Sequence, residues 1–183
     1  NEAQRCYNST RNASFVRKRD CAKRALEAGR FIFEPGSLNI AALTYNYGNA
    51  LDRRDEKLDV LGQALELYEA IYGKSSLEVI DVLIDMGAKR KVIAIAKKYF
   101  EKDSVEYADV LLELAMSNML SLNDTSRYAD SALEIYLEEE GVESYNTAAA
   151  SFQMGKVKFA KEKYKSAIPY LIGATKHPEI ATF

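Results

Sequence analysis

One tripeptide occurs three times along the chain and decides the fold: Ala25-Leu26-Glu27, Ala64-Leu65-Glu66 and Ala132-Leu133-Glu134. A glycine follows each copy at a fixed distance, since Gly48, Gly87 and Gly155 stand 23 residues after the alanines (48 − 25, 87 − 64 and 155 − 132). A repeated distance of this kind indicates a chain built from similar units that stack on their neighbours. We therefore expect a repeat protein.

A serine stands 11 residues before each of these glycines, at the start of an apolar run. The serines are Ser37, Ser76 and Ser144, and Ser104 keeps the same distance to Ala115. Serine at such a place caps a helix by accepting a hydrogen bond from a backbone N–H group. A glycine inside a helix costs about 1 kcal/mol relative to alanine, so the glycines indicate the close approach of a second helix. The tripeptide belongs to that second helix, with its alanine against a neighbour and its leucine in the core.

The last unit carries the residues of a known pattern: Phe152, Met154, Gly155, Phe159, Tyr164, Ala167, Leu171, Ala174 and Pro178. In order and spacing they resemble the tetratricopeptide repeat (TPR). The longer interval of 16 residues from Gly48 to Ala64 resembles the variety found in kinesin light chain. The resemblance implies an all-α fold, a right-handed superhelical stack of about four or five helix-turn-helix units.

Turn residues set the boundaries of the units within a single predicted domain, 1–183. We expect an N-terminal capping hairpin at 1–34 and repeat units at 37–75, 76–103, 104–141 and 144–178.

The unit at 76–103 is shorter than its neighbours. Only 28 residues separate Gly87 from Ala115 (115 − 87), whereas 39 separate Gly48 from Gly87 (87 − 48). Either Ser76 to Glu101 is one nearly continuous helix, or a mobile loop near Arg90-Lys91 is absent from the sequence. We favour the loop, because the apolar spacing from Val92 to Phe100 is that of an ordinary second helix that needs a partner.

Composition argues against several classes of partner. The net charge of −2 gives no reason to expect nucleic acid, and no apolar run approaches the roughly 18 residues of a membrane span. We expect a protein or peptide partner, no membrane insertion and no cofactor. The oligomeric state is open.

Charge is nevertheless uneven along the chain. Residues 1–30 hold eight basic and three acidic residues, and residues 101–143 hold twelve acidic and two basic ones. Each stretch is either a contact surface for a partner of opposite charge or a solvated outer face.

The two cysteines, Cys6 and Cys21, flank the turn-forming residues 8–12. A disulfide between the two arms of a hairpin would place the protein in an oxidising compartment, periplasmic or secreted. The alternative is a pair of buried thiols in a cytoplasmic protein.

No catalytic arrangement is recognisable. The single histidine, His177, stands beside Pro178 at the end of the last predicted helix. One histidine and two cysteines do not complete a tetrahedral zinc site without carboxylates. We therefore expect a protein that is not an enzyme and that holds no metal.

The resemblance also implies a binding groove lined by the first helix of each unit. Positions three before, two before and one after the repeat glycine face it. The candidate groove residues are Tyr45, Asn46, Asn49, Asp85, Glu113, Gln153 and Lys156. Asparagine offers both a donor and an acceptor to a peptide backbone, so Asn46 and Asn49 are the foremost candidates.

Two functions follow from these patterns. The chain is either a module that binds a peptide or protein segment in the groove, or a structural unit that associates with itself or docks to a fused domain.

Overall fold

The computed structural model describes residues 15–117, 120–175 and 177, and all regular structure within them is helical. The predicted all-α fold is confirmed. The chain divides into two compact units, residues 1–88 (unit 1) and residues 89–183 (unit 2).

Unit 1 contains four described helices: α1 (Phe15–Ile32), α2 (Leu38–Asn49), α3 (Arg54–Tyr72) and α4 (Leu77–Asp85). Each packs against the next helix in the unit. Their apolar faces bury one core whose fully enclosed side chains include Leu61, Val79, Ile80 and Val82.

Unit 2 contains five described helices: α5 (Lys89–Tyr99), α6 (Val105–Met116), α7 (Leu122–Glu139), α8 (Tyr145–Ala160) and α9 (Tyr164–Ala174). Here too each helix packs against the next, and α6 also contacts α8. The core centres on Leu111, Leu133, Tyr136 and Met154.

The four predicted serine caps are present. The hydroxyl oxygen of each serine accepts a hydrogen bond from the backbone N–H three residues later. The N–O distance is 3.5 Å at Ser37, 3.3 Å at Ser76, 3.2 Å at Ser104 and 3.0 Å at Ser144. Each cap satisfies one of the backbone donors that a helix leaves unpaired at its start, and α2, α4, α6 and α8 begin there.

Two of the repeat glycines lie where another helix approaches closely. A Cβ atom on Gly48 would stand 2.7 Å from Leu61 Cδ2 and 3.3 Å from the backbone nitrogen of Leu61. A Cβ atom on Gly155 would collide with the side chain of Leu171 in the same way. The close approach predicted at these two positions is confirmed.

Gly87 has a different role from the other repeat glycines, and the alternative of one nearly continuous helix over 76–101 was wrong. Helix α4 ends at Asp85, and Gly87 follows it with a φ of +76°. The Gly87 N–H bonds to the Ile84 carbonyl and the Ala88 N–H to that of Leu83, at 2.9 and 2.8 Å. This arrangement is a glycine C-cap that closes a helix.

No continuous helix therefore spans 76–101, since residues 86–88 separate α4 from α5, which begins at Lys89 and contains Arg90 and Lys91. The absence of a loop segment near Arg90-Lys91 stays a prediction. Shorter helices account for the short interval. Helix α4 has 9 residues against 12 in α2, and α5 has 11 against 19 in α3.

The predicted capping hairpin at 1–34 falls only partly within the described residues. Its second arm is α1, in which Leu26 is buried and Cys21 is half-buried. Cys6 and the predicted turn at 8–12 lie outside the described residues, so the hairpin and the Cys6–Cys21 disulfide stay predictions. None of the helices within the described residues combines the length and the hydropathy of a membrane span.

Candidate functional site

Three of the seven predicted groove residues meet in unit 1. The Tyr45 hydroxyl donates a hydrogen bond to Asp85 Oδ2 at 2.5 Å, and Asn49 Nδ2 donates to the same oxygen at 2.6 Å. Tyr45 and Asn49 stand four residues apart on α2, so they share one face of that helix. Asp85 is the last residue of α4. These contacts join the first helices of two successive repeat units.

The remaining polar groups of α2 lie beside this contact. Asn46 is exposed and stands next to Tyr45 in the chain. Asn49 Oδ1 is buried without a hydrogen-bond partner. A buried acceptor without a donor is unfavourable, so Asn49 has the capacity to accept one more hydrogen bond. Of the two asparagines predicted to bind a peptide backbone, Asn49 already uses its amide nitrogen in the hydrogen bond to Asp85.

Aromatic rings of α3 extend the site. The Tyr68 ring lies edge-on to that of Tyr45 with centroids 6.3 Å apart, and it stacks on Tyr72 at the same distance. Tyr72 is exposed, whereas Tyr68 is buried. Neither tyrosine was predicted from the sequence, although Tyr68 stands two residues after the second copy of the tripeptide.

Carboxylates of α4 give this surface its charge. Burial raises the pKa of the Tyr45 phenol above its ordinary value, and the hydrogen bond to Asp85 and the charges of Asp85 and Asp81 raise it further. Burial also raises the pKa of Tyr68, with the charges of Glu78 and Asp81 acting in the same direction. Both phenols therefore stay protonated at physiological pH, and Tyr45 remains a donor to Asp85.

The structure places the predicted groove residues of unit 2 in different environments. Glu113 of α6 and Lys156 of α8 are exposed, and the Lys156 ammonium lies 5.7 Å from the centroid of the Phe152 ring. Gln153 is buried, and its amide nitrogen donates to the Ala115 carbonyl oxygen at 2.6 Å. The structure does not bring Gln153 to an open surface, because its side chain fastens α8 to α6.

The described residues hold no group of three or more His, Cys, Asp or Glu side chains that could bind a metal ion. The His177 ring lies edge-on to Tyr145 with centroids 5.4 Å apart.

No known protein-family profile matches the sequence, and no curated protein matches it. Solved structures do. Among them are the nearly identical TPR-like repeats of a Podosopora anserina protein named as a kinesin light chain, with a TM-score of 0.58 at 10% identity. The match covers 94% of this chain and 91% of that one. A variant of the same protein matches over the same shares, with a TM-score of 0.59 and 10% identity.

At this level of identity the likeness concerns the fold. The chain has the TPR-like helical repeat fold that the sequence resemblance implied. In general this fold supports protein-interaction and scaffold modules.

Proposed function

We propose that the chain is a protein-interaction module that binds a peptide segment on the surface formed by α2, α3 and α4 of unit 1. The observation that carries the proposal is the convergence of Tyr45 and Asn49 on Asp85, at 2.5 and 2.6 Å. These two hydrogen bonds fix three side chains before a partner binds, and the side chains come from the first helices of two successive repeat units. Preorganised groups lose little freedom on binding, which favours affinity.

The chemistry of this surface favours a segment that carries lysine or arginine. Glu78, Asp81 and Asp85 follow one another at intervals of three and four residues on α4, which places them along one side of the helix. Exposed Tyr72 offers a ring for cation–π contact. Exposed Asn46 supplies a donor and an acceptor for the peptide backbone.

A displayed library of random peptides tests the proposal. The full chain is the target, and the double variant Asn46→Ala with Asp85→Asn is the counter-target. We expect enriched peptides rich in lysine or arginine. Their affinity, measured by fluorescence polarisation, should fall by about tenfold or more on the double variant.

The matched control is Asp59→Asn with Gln63→Ala, the same two kinds of change at exposed positions of α3. Its affinity should equal that of the unmodified chain, and all three proteins should melt within a few degrees of one another. If the selected peptides bound the site variant as tightly as the control variant, the proposed peptide-binding site would be refuted.

A second candidate function is assembly, and one observation favours it. Helix α9 exposes Tyr164, Ile168 and Ile172, which recur every four residues and are each more than half exposed. A contiguous apolar stripe of this kind marks a contact surface. Sedimentation of the full chain should then show mass that rises with concentration, and Ile168→Glu with Ile172→Glu should abolish the rise. A monomer at every concentration would exclude self-association through this stripe.

The predicted disulfide between Cys6 and Cys21 belongs to this proposal, together with the oxidising compartment that it implies. Intact mass after alkylation without reductant checks it. An unchanged mass is expected, whereas two alkylated thiols would favour a cytoplasmic protein.

A further inference from the structure

A cavity of about 460 Å³ opens in unit 2 at the C-terminal half of α5. Its floor is apolar and comes from three helices, with Ile93 on α5, Leu111 and Leu114 on α6, and Ile135 on α7. Tyr107 and Tyr128 line its sides. The volume is within the range of about 300–1,000 Å³ that is usual for ligand sites, and none of the predicted groove residues lines it.

Helix α5, beside this cavity, is strongly basic. Its sequence from Lys89 to Tyr99 contains five lysine or arginine residues and no acidic residue. Four of these cations are exposed: Arg90, Lys91, Lys97 and Lys98. Lys102, in the loop after the helix, is also exposed, and it lines the cavity together with Lys97 and Arg127.

Most of these cations form no ion pair in the described part of the chain. Lys89 forms an ion pair with Asp124 at 3.0 Å, and Arg127 pairs with the same carboxylate at 3.1 Å. Across residues 15–117, 120–175 and 177, the exposed cations of α5 and Lys102 form no ion pair. Their charge is therefore available to a partner.

One wall of the cavity is held in place by this ion-pair network. The Arg127 guanidinium and the Lys89 ammonium lie 4.9 and 5.8 Å from the centroid of the Tyr128 ring. The hydrogen bond from Lys89 lowers the pKa of Asp124, which keeps that carboxylate charged. Tyr128 of α7 thus contacts Lys89 of α5 and forms an aromatic side of the cavity.

We propose that this cavity and the basic face of α5 together bind an acidic peptide segment, which inserts a bulky apolar side chain into the cavity. Carboxylates before and after the inserted residue pair with Lys97 and Lys102. The site differs from the one proposed in unit 1 in location, in the sign of its charge and in the class of peptide.

The apolar floor favours a peptide over a nucleic acid or an anionic membrane. The phosphate backbone of a nucleic-acid duplex has no apolar group to place against Ile93, Leu111 and Ile135, and a flat membrane surface does not enter a concave cavity. Two acidic residues, Asp103 and Glu134, also line the cavity, and they would repel a phosphate or a carboxylate placed inside it, so the inserted side chain is uncharged. A peptide can alternate acidic and apolar side chains to meet both features.

The test is a second selection from the random-peptide library on the full chain, with Lys97→Glu and Lys102→Glu combined as the counter-target. We expect enriched peptides with two or more acidic residues around an aromatic or aliphatic one. Their affinity should fall by at least about tenfold on the charge-reversed variant and should weaken as salt is raised. Ser131→Leu, which fills the cavity and leaves every charge in place, should also weaken binding.

Two controls establish whether binding depends on the position of these lysines or only on net charge. Lys163→Glu with Lys165→Glu makes the same change in net charge at exposed positions near the start of α9 and should leave binding unchanged. Asp85→Asn should not affect these peptides, so this inference and the proposed function can fail independently.

Three results would overturn the inference. One is the absence of an enriched acidic family, and another is equal binding by the charge-reversed variant. The third is binding of a mixed-sequence oligonucleotide or of phosphatidylserine vesicles that depends on Lys97 and Lys102, with no peptide bound.

Discussion

Tyr136 of α7 and Asp109 of α6 are joined by a hydrogen bond of 2.7 Å, from a fully buried phenol to a half-buried carboxylate. Burial raises the pKa of Asp109, and the charges of Glu140 and Glu106 add to the increase, while the bond from Tyr136 acts against it. Burial disfavours the charged form more than the hydrogen bond favours it.

The stability of the fold should therefore depend on pH at this carboxylate. With a raised pKa, the folded state binds the proton more tightly than the unfolded chain, so stability falls as pH rises from the ordinary carboxylate pKa through the raised one. Asp109→Asn keeps an oxygen acceptor for Tyr136 and removes the titration. Urea unfolding from about pH 4 to pH 7 should show the unmodified chain losing stability relative to the variant, and parallel curves would contradict the assignment.

Two glycine substitutions should change stability in opposite directions. Gly48→Ala sets a methyl group against Leu61, which is fully buried and has little room to move. We expect a net loss of roughly 1–2 kcal/mol, because overpacking exceeds the gain in helix propensity. Gly62→Ala is the matched control in α3, since a Cβ there meets no atom within 4 Å. It should gain roughly 0.5–1 kcal/mol in urea unfolding, and a loss at both sites would refute the close-approach argument.

Asn49→Asp should destabilise the protein at neutral pH. It replaces the donor that lies 2.6 Å from Asp85 Oδ2 with a second carboxylate. We expect a loss of roughly 1–3 kcal/mol at pH 7, because a hydrogen bond is replaced by repulsion between two carboxylates. Asn46→Asp, the same change at an exposed neighbour, should stay within about 0.5 kcal/mol. Thermal and urea unfolding at pH 7 measure the difference between the two variants.

The serine caps can be tested one at a time. Ser76→Ala removes the acceptor that lies 3.3 Å from the Val79 nitrogen and should lower stability by about 1 kcal/mol. Ser76→Asp should restore most of the loss, because aspartate also caps helices well. Ser75→Ala, one residue earlier, should have little effect, and an equal loss there would show that the cap is not the cause.

Residue spacing predicted much of this fold. The interval from Ser37 to Gly48 identified both a helix start and a helix contact, because the cap and the crossing are local properties of one helix. The same interval misled at Gly87, where the glycine ends α4 with a φ of +76°. A glycine that packs inside a helix and one that closes a helix have the same sequence signal, and only the helix length distinguishes them.

The candidate sites were less predictable. A fixed offset from the repeat glycine located Tyr45, Asn49 and Asp85, which meet, but it also selected Gln153, which is buried against Ala115. The offset assumes the same helix crossing in every unit, and side-chain burial depends on the actual neighbours. The basic face of α5 had a visible signal, five cations without an acid, but its cavity depends on how α5, α6 and α7 pack.

Within each unit, the packing of each helix against the next one in the chain has a consequence for how the protein folds. Contacts between chain neighbours require only short loops to close, so little chain entropy is lost before they form. Helical proteins with such local contacts reach the native state in about microseconds to milliseconds. Each unit can therefore begin to acquire structure as soon as its first two helices have left the ribosome, before the rest of the chain is synthesised.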